Sequence, residues 1–234
     1  MFKDKKVGVI VPAAGKGSRF GGKECKQFLE LSGKPVIVHV LEKFQNCKEI
    51  DIITIAIDKS YNEKLLQWIQ DYKLDKVARI AQGGLERQDS VRNCLRILGE
   101  LSVDIVVIHD AVRPFVSNKI INLVLDAAET NGAAIAGVRV KDTIKITDEN
   151  RIIRDSPRRE NLWIAQTPQA FSYKILNNAF ENACKTGFIG TDDAMLIERI
   201  GGEVVIVEGD YNNIKITTPE DMEMAEYIGK KRLL

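Results

Sequence analysis

Excess charge of either sign is missing from this chain: 34 Lys and Arg stand against 33 Asp and Glu, a formal net charge of +1. A general nucleic-acid or membrane-surface binder would be markedly basic, so the balance argues against both. Long apolar runs are missing too, and none approaches the roughly 18 residues of a membrane span. Residues 1–11, charged and then apolar, mimic a secretory signal. The apolar run is too short for one, and a charged loop follows where a cleavage site would stand. Cysteine is sparse: Cys25, Cys47, Cys94 and Cys184 are dispersed and form no C-x-x-C pair. They suit reduced thiols in a cytoplasm rather than a disulfide frame or a zinc site. Cys25 lies in a charged loop, but no histidine base is near it in sequence. Internal repeats, low-complexity tracts and long linkers are also absent.

What is present is a core-forming chain: 234 residues, 44% of them hydrophobic, enough for a sizeable α/β domain. Apolar runs at 7–11, 51–57, 77–81, 104–108 and 133–138 read as strands. Between them, 3.6-residue periodicity predicts helices. One begins at Pro35, suited to a first helical turn. Another begins near Ser60, where Ser60 and Glu63 have capping-box spacing. A third turns Val91, Cys94, Leu95 and Leu98 inward, and a fourth spans 117–131. This alternation predicts an α/β fold: a Rossmann-like, mostly parallel twisted sheet with helices on both faces. The run at 104–108 is almost wholly apolar and is expected at the sheet centre.

The pattern changes at Arg139. Val140, Ile144 and Ile146 alternate with polar residues, Asp148-Glu149-Asn150 reads as a turn, and Ile152 and Ile153 return. A β-hairpin arm at about 139–160 is therefore inserted in a single domain covering 1–234. Two strands do not stabilise themselves in water, so the arm must pack on the body or on another chain. Helices at 172–185 and 191–200 follow, then a strand at 203–207. Thr218-Pro219-Glu220-Asp221 caps a last helix.

Ligands in doubly wound sheets bind beyond the carboxyl ends of the strands. The first strand runs into a loop carrying Gly15, Gly17, Gly21 and Gly22 with Lys16, Arg19, Lys23 and Lys26. Glycine admits backbone N–H groups close to an anion, and the cations neutralise it. The dinucleotide fingerprint fails at Phe20, where a small residue is needed. The Walker pattern fails at Glu24, where Ser or Thr would hold magnesium. Other strand exits supply Gly83-Gly84 to Ser90, His109-Asp110 to Arg113-Pro114, Lys141-Asp142-Thr143 and Asn213-Ile214-Lys215. Asp110 is placed to reach magnesium or a sugar hydroxyl. The sequence equally allows it to be a cap or a partner for Arg113. His109 is more often a satisfied structural histidine than a base, and Arg19 and Lys215 have the alternative of plain surface charge.

Pro12-Ala13-Ala14-Gly15, Gly17, Arg19 and Lys26-Gln27, with further pieces in order to Asp221, resemble the sugar-phosphate nucleotidyltransferases. The nearest likeness is to the 2-C-methyl-D-erythritol 4-phosphate cytidylyltransferases of the non-mevalonate isoprenoid route. The resemblance implies CTP as donor, with Arg19 and Lys26 as transition-state cations. It implies Ala14, Gly15, Gly17, Gly83, Gly84, Ser90 and Asp110 around the nucleotide, and Asp110 also at the metal, Mg²⁺ or another divalent cation. Thr191 and Lys215 would hold the acceptor phosphate, helped by Thr167 and by Arg159 from a partner's arm in a homodimer. Arg158 stands where the family usually has an acidic residue, so either arginine is a candidate to cross. No nucleic acid or membrane is implied.

Three other readings compete. Ribitol 5-phosphate cytidylyltransferases share the stretch Asp110 to Phe115 and Gln166-Thr167-Pro168-Gln169, but tend to begin differently at Pro12-Ala13-Ala14-Gly15. A non-catalytic CTP sensor could have lost the cations that are intact here. A redox enzyme is weakened by Phe20.

Overall fold

The computed structural model describes residues 1–15 and 25–232. In chain order the elements are β1 (Val7–Pro12), a 3-10 turn Lys26–Phe28, β2 (Glu30–Leu31), β3 (Lys34–Pro35), α1 (Val36–Gln45), β4 (Ile52–Ile57), α2 (Asn62–Asp71), β5 (Val77–Gln82), α3 (Arg87–Glu100) and β6 (Ile105–Ile108). Then come α4 (Asn118–Asn131), β7 (Ala133–Arg139), β8 (Ile146–Thr147), β9 (Ile153–Asp155), β10 (Trp163–Ser172), α5 (Tyr173–Thr186), α6 (Ala194–Arg199), β11 (Val205–Glu208) and α7 (Pro219–Arg232). Seven strands form one sheet in the order β11-β7-β10-β6-β1-β4-β5. β10 runs antiparallel to β6 and β7, and the other pairings are parallel.

Period-two alternation explains the two helical layers. Val7, Val9 and Val11 of β1 join the core under α1, α2 and α4. Ile10, facing the other way, joins the core under α3, α5 and α6. Both faces of β1 and β6 are buried, which is why these strands read as continuous apolar runs. Gly8 lets α3 approach: a Cβ there would fall 2.9 Å from Leu98 Cδ2. A smaller cluster, with Leu31, Val36, Val112, Phe115, Ile216, Ala225 and Ile228, seats α7 against the β2–β3 hairpin.

The ends follow local chemistry. Ser117 Oγ accepts from Ile120 N at 3.3 Å and starts α4, which stops at Gly132 with φ +86°. The cap of α7 forms as expected: Asp221 Oδ2 accepts from Thr218 N at 2.9 Å, and Thr218 Oγ1 from Asp221 N at 3.4 Å.

Three expectations are corrected. Ser60 and Glu63 make no capping box. Asp58 Oδ1 takes Ser60 N at 3.0 Å and Ser60 Oγ at 2.7 Å, which winds a 3-10 turn and delays α2 to Asn62. The helix expected at 191–200 begins at Ala194, because Asp192 Oδ1 accepts from Met195 N at 3.0 Å and shapes a bend first. β10 was not anticipated as a strand, although it lies between β6 and β7. Its pairing with β7 is interrupted between Ala165 and Gln169, around Pro168, which has no N–H to give.

The arm forms as a short antiparallel pair, β8 with β9. Asp148 Oδ1 shapes its turn by accepting from Asn150 N and Ile152 N, each at 3.0 Å. Ile146, Ile152 and Ile153 are at least half exposed in the single chain.

Candidate active site

The sheet's carboxyl rim gathers most of the residues singled out from the sequence. Beyond β1, Ala13 N donates to Ala56 O at 2.7 Å. Gln27 Nε2 donates to Ala13 O at 2.6 Å and Gly15 O at 3.1 Å, clamping the start of the glycine loop. Lys26, half-buried, precedes that clamp on the 3-10 turn. Gly17 and Arg19 lie outside the described residues. Beyond β5, Gly83 N donates to Ile57 O at 2.9 Å, and its Cα lies against Ala14. Gly84 N donates to Ser90 Oγ at 3.0 Å, closing the turn onto α3. A capping box between Glu86 and Asp89 fixes the start of that helix. Ala14, Gly83, Gly84 and Ser90 therefore come together as one wall.

Asp110, just past β6 and nearly inaccessible, is the electrostatic centre of the rim. Lys215 Nζ lies 2.9 Å from its Oδ2 and Arg113 Nε 3.3 Å from the same oxygen, while Arg87 Nε lies 3.5 Å from Oδ1. Burial pushes the Asp110 carboxyl up. The charges of Arg87, Lys215 and Arg113 outweigh it and hold the group well below the usual carboxylate range. Partnering Arg113 is thus part of what Asp110 does. Lys215 is no isolated surface charge.

His109 is a structural histidine. It is fully buried, its Nε2 lies 3.0 Å from Arg113 O and its Nδ1 3.1 Å from Thr167 Oγ1. A carbonyl accepts, so Nε2 carries the proton and Nδ1 accepts from the Thr167 hydroxyl. That hydroxyl oxygen in turn accepts from Asp110 N at 3.1 Å. Burial lowers the His109 pKa to about 4, which keeps the ring neutral.

Thr191 and Arg159 are bonded elsewhere, Thr191 Oγ1 to Met195 Sδ at 3.7 Å. Thr191 is exposed on the bend before α6. Arg159 sits at the base of the arm, donating from Nη1 to Lys141 O at 3.1 Å. Arg158 Nε lies 3.7 Å from Glu160 Oε2.

Sequence reasoning gave no role of their own to several polar groups that the fold brings together here. Arg87, in the first turn of α3, bridges Asp110 to Asp193, with Nη1 2.7 Å from Asp193 Oδ2. Asn213, wholly buried, donates from Nδ2 to Thr167 O at 2.8 Å, and its backbone carbonyl accepts from Arg113 Nη1 at 2.7 Å. Gln169 Nε2 donates to Asp192 Oδ2 at 2.9 Å. A charge in a first helical turn ordinarily reads as solvated, so only the glycine turn just before Arg87 could have drawn notice to it.

Among the described residues no group of three or more His, Cys, Asp or Glu could hold a metal by itself. A lone rim carboxylate fits Mg²⁺ carried mainly on substrate phosphates, which takes one or two protein carboxylates and keeps its other positions for phosphate and water. The looser Oδ1 of Asp110 suits that role.

A mostly parallel sheet with a glycine turn, a buried carboxylate and convergent cations at its carboxyl rim makes a site for an anionic, phosphate-bearing ligand. A family model described as 2-C-methyl-D-erythritol 4-phosphate cytidylyltransferase matches residues 7–231. The chain belongs to that family. The enzyme of this name from Shouchella clausii is 47% identical over 95% of this chain and 96% of its own length. The Lysinibacillus sphaericus enzyme is 43% identical over 97% and 96%. Among solved structures, the 4-diphosphocytidyl-2C-methyl-D-erythritol synthase of Anaerococcus prevotii aligns with a TM-score of 0.87 at 29% identity, covering 98% of both chains. The Francisella tularensis cytidylyltransferase aligns at 0.78 and 34% identity, covering 95% of this chain and 99% of its own. Among the described residues no helix is long and apolar enough to cross a membrane.

Proposed function

We propose that the chain transfers CMP from CTP to 2-C-methyl-D-erythritol 4-phosphate, a step of the non-mevalonate isoprenoid route, with residues 1–234 acting as one domain. The observation that carries the reading to particular residues is the meeting of Lys215 and Thr167 on Asp110, at the same rim as the Ala14–Gly83–Gly84–Ser90 wall.

The chemistry follows from charge. The second pKa of a phosphate monoester is near ~6, so the acceptor is mostly a dianion at neutral pH. It needs no general base, which agrees with a neutral His109 whose ring nitrogens are both engaged. An acceptor phosphate oxygen bonds to the α-phosphorus of CTP. The bond to the bridging oxygen breaks, and its electron pair leaves with pyrophosphate. Catalysis is then positioning and stabilisation of crowded phosphoryl charge. Lys26 and Arg19 serve the triphosphate, Lys215 and Thr191 the acceptor phosphate. Thr167, whose hydroxyl proton is directed to His109, serves by orienting the Asp110 backbone. Bound Mg²⁺ would neutralise phosphate charge beside Asp110.

The arm supports a homodimer. Its exposed isoleucines have no cover in the single chain, and a partner's arm would bring Arg159 to the acceptor. The balanced charge and lack of an apolar span fit a cytoplasmic enzyme acting on small substrates.

The test is pyrophosphate release with CTP and Mg²⁺, comparing methylerythritol 4-phosphate with ribitol 5-phosphate. Turnover with the first alone is expected. Turnover with the second alone would move the enzyme to polyol-phosphate activation, and silence with both would bring forward a CTP sensor.

A further inference from the structure

The bend between α5 and α6, residues 188–193, carries Thr191. Asp192 shapes it locally and bonds to Gln169 of β10, and the first turn of α3 holds its backbone and its far end from outside. Gln88 holds it with both ends of its amide: Nε2 donates to Phe188 O at 3.0 Å, and Oε1 accepts from Gly190 N at 2.9 Å. One residue earlier, Arg87 Nη1 reaches Asp193 Oδ2 at 2.7 Å while its Nε faces Asp110 Oδ1 at 3.5 Å. Two residues later, Ser90 Oγ accepts from Gly84 N at 3.0 Å. A single helical turn therefore grips the nucleotide-side glycine turn, the central carboxylate and the acceptor-side bend at once.

We infer that Gln88, with Arg87 beside it, is a positioning residue that sets Thr191 for the acceptor phosphate by tying its bend to the nucleotide turn. The assignment of Thr191 to the acceptor rests on the function proposed above. The geometry of the tie does not. Both Gln88 bonds go to backbone, so the bend's path is fixed whatever its side chains do. α6 has six residues and is too short to organise the bend from its own end. The buried Asp193 carboxylate, raised by burial against the pull of Arg87, anchors the far side. Misplacing a contact group by about 1 Å is enough to cost two orders of magnitude in rate, so a bend held from another element is a sensitive point.

An alternative is that Gln88 merely stabilises the fold. That role would lower the folded fraction, and with it apparent kcat, but would leave KM values unmoved because they do not depend on enzyme amount. The test compares Gln88→Ala and Gln88→Glu with the unmodified protein. Gln88→Ala should raise KM for methylerythritol 4-phosphate about tenfold, the upper end for one neutral hydrogen bond, with KM for CTP changed less than about twofold on the same scale. Gln88→Glu keeps an acceptor for Gly190 N and should fall between. Amide exchange, read without substrate, should speed up at 188–193 in Gln88→Ala while Gly84 stays protected. Equal rises in both KM values, or unchanged exchange at the bend, would overturn the inference. Absence of turnover in the unmodified protein, with exchange behaving as expected, would instead overturn the functional reading and leave the tie in place.

Discussion

Ala14 fills the space that a side chain at Gly83 would take: a Cβ built on Gly83 falls 2.1 Å from Ala14 Cβ. The two strand exits of the proposed nucleotide wall are thus in direct contact, and the glycine is required by crowding rather than by an unusual φ. Gly83→Ala should destabilise the fold by about 1–3 kcal/mol, the usual cost of overpacking, and raise KM for CTP. Urea unfolding and CTP titration of the rate would check it, and an unchanged KM would separate this contact from the nucleotide site.

Lys215→Ala removes one of the cations around Asp110 but leaves Arg87 and Arg113 in place. The fold should survive, and kcat should fall by about 10²–10³, as when one preorganised charge partner of a transition state is lost. Circular dichroism and pyrophosphate release give the two readings. Near-normal turnover would take Lys215 out of the mechanism.

His109 makes stability depend on pH. Its pKa is about 4 when folded and roughly 6.5 when unfolded. Between those values the unfolded chain binds more protons, so stability rises with pH. The contribution is complete above about 6.5 and is lost as pH falls through 4, amounting to about 3 kcal/mol. Urea midpoints from pH 4 to 7 should therefore slope upward more steeply in the natural protein than in His109→Gln. Parallel profiles would contradict the burial argument.

The arm can be tested through its isoleucines. Ile146→Asp with Ile153→Asp should convert a dimer to a monomer in light scattering and lower turnover, since Arg159 would no longer come from a partner. Burying a new carboxylate without a partner in an interface costs several kcal/mol. A natural protein that is already monomeric at micromolar concentration would defeat the dimer reading.

Much of this architecture was legible because it obeys simple periods. The runs that became β1 and β6 are apolar on both faces, and α3 carries its buried residues at helical spacing. Several of the misses share an origin, polar groups whose partners lie far away in sequence. In β10, Gln166-Thr167-Pro168-Gln169 looks like a loop, since only the fold supplies His109, Asp210 and Asp192 as their partners. Arg87 and Asp193 lie far apart in sequence, and only the fold brings them within 2.7 Å. Ser60 failed as a cap for a local reason, because Asp58 two residues earlier captured its hydroxyl. Which base and which acceptor are used came from resemblance, not from any pattern of charge or spacing.

The reversed direction of β10 has a further consequence. β7 runs toward the carboxyl rim and β10 runs back from it, with Trp163 opposite Arg139. Whatever chain is inserted between them must leave and re-enter at that rim. The arm is therefore rooted at the edge of the proposed catalytic cleft by topology alone. A subunit grasping it, as proposed above, would be brought to the mouth of that cleft, so that assembly and access would share one border.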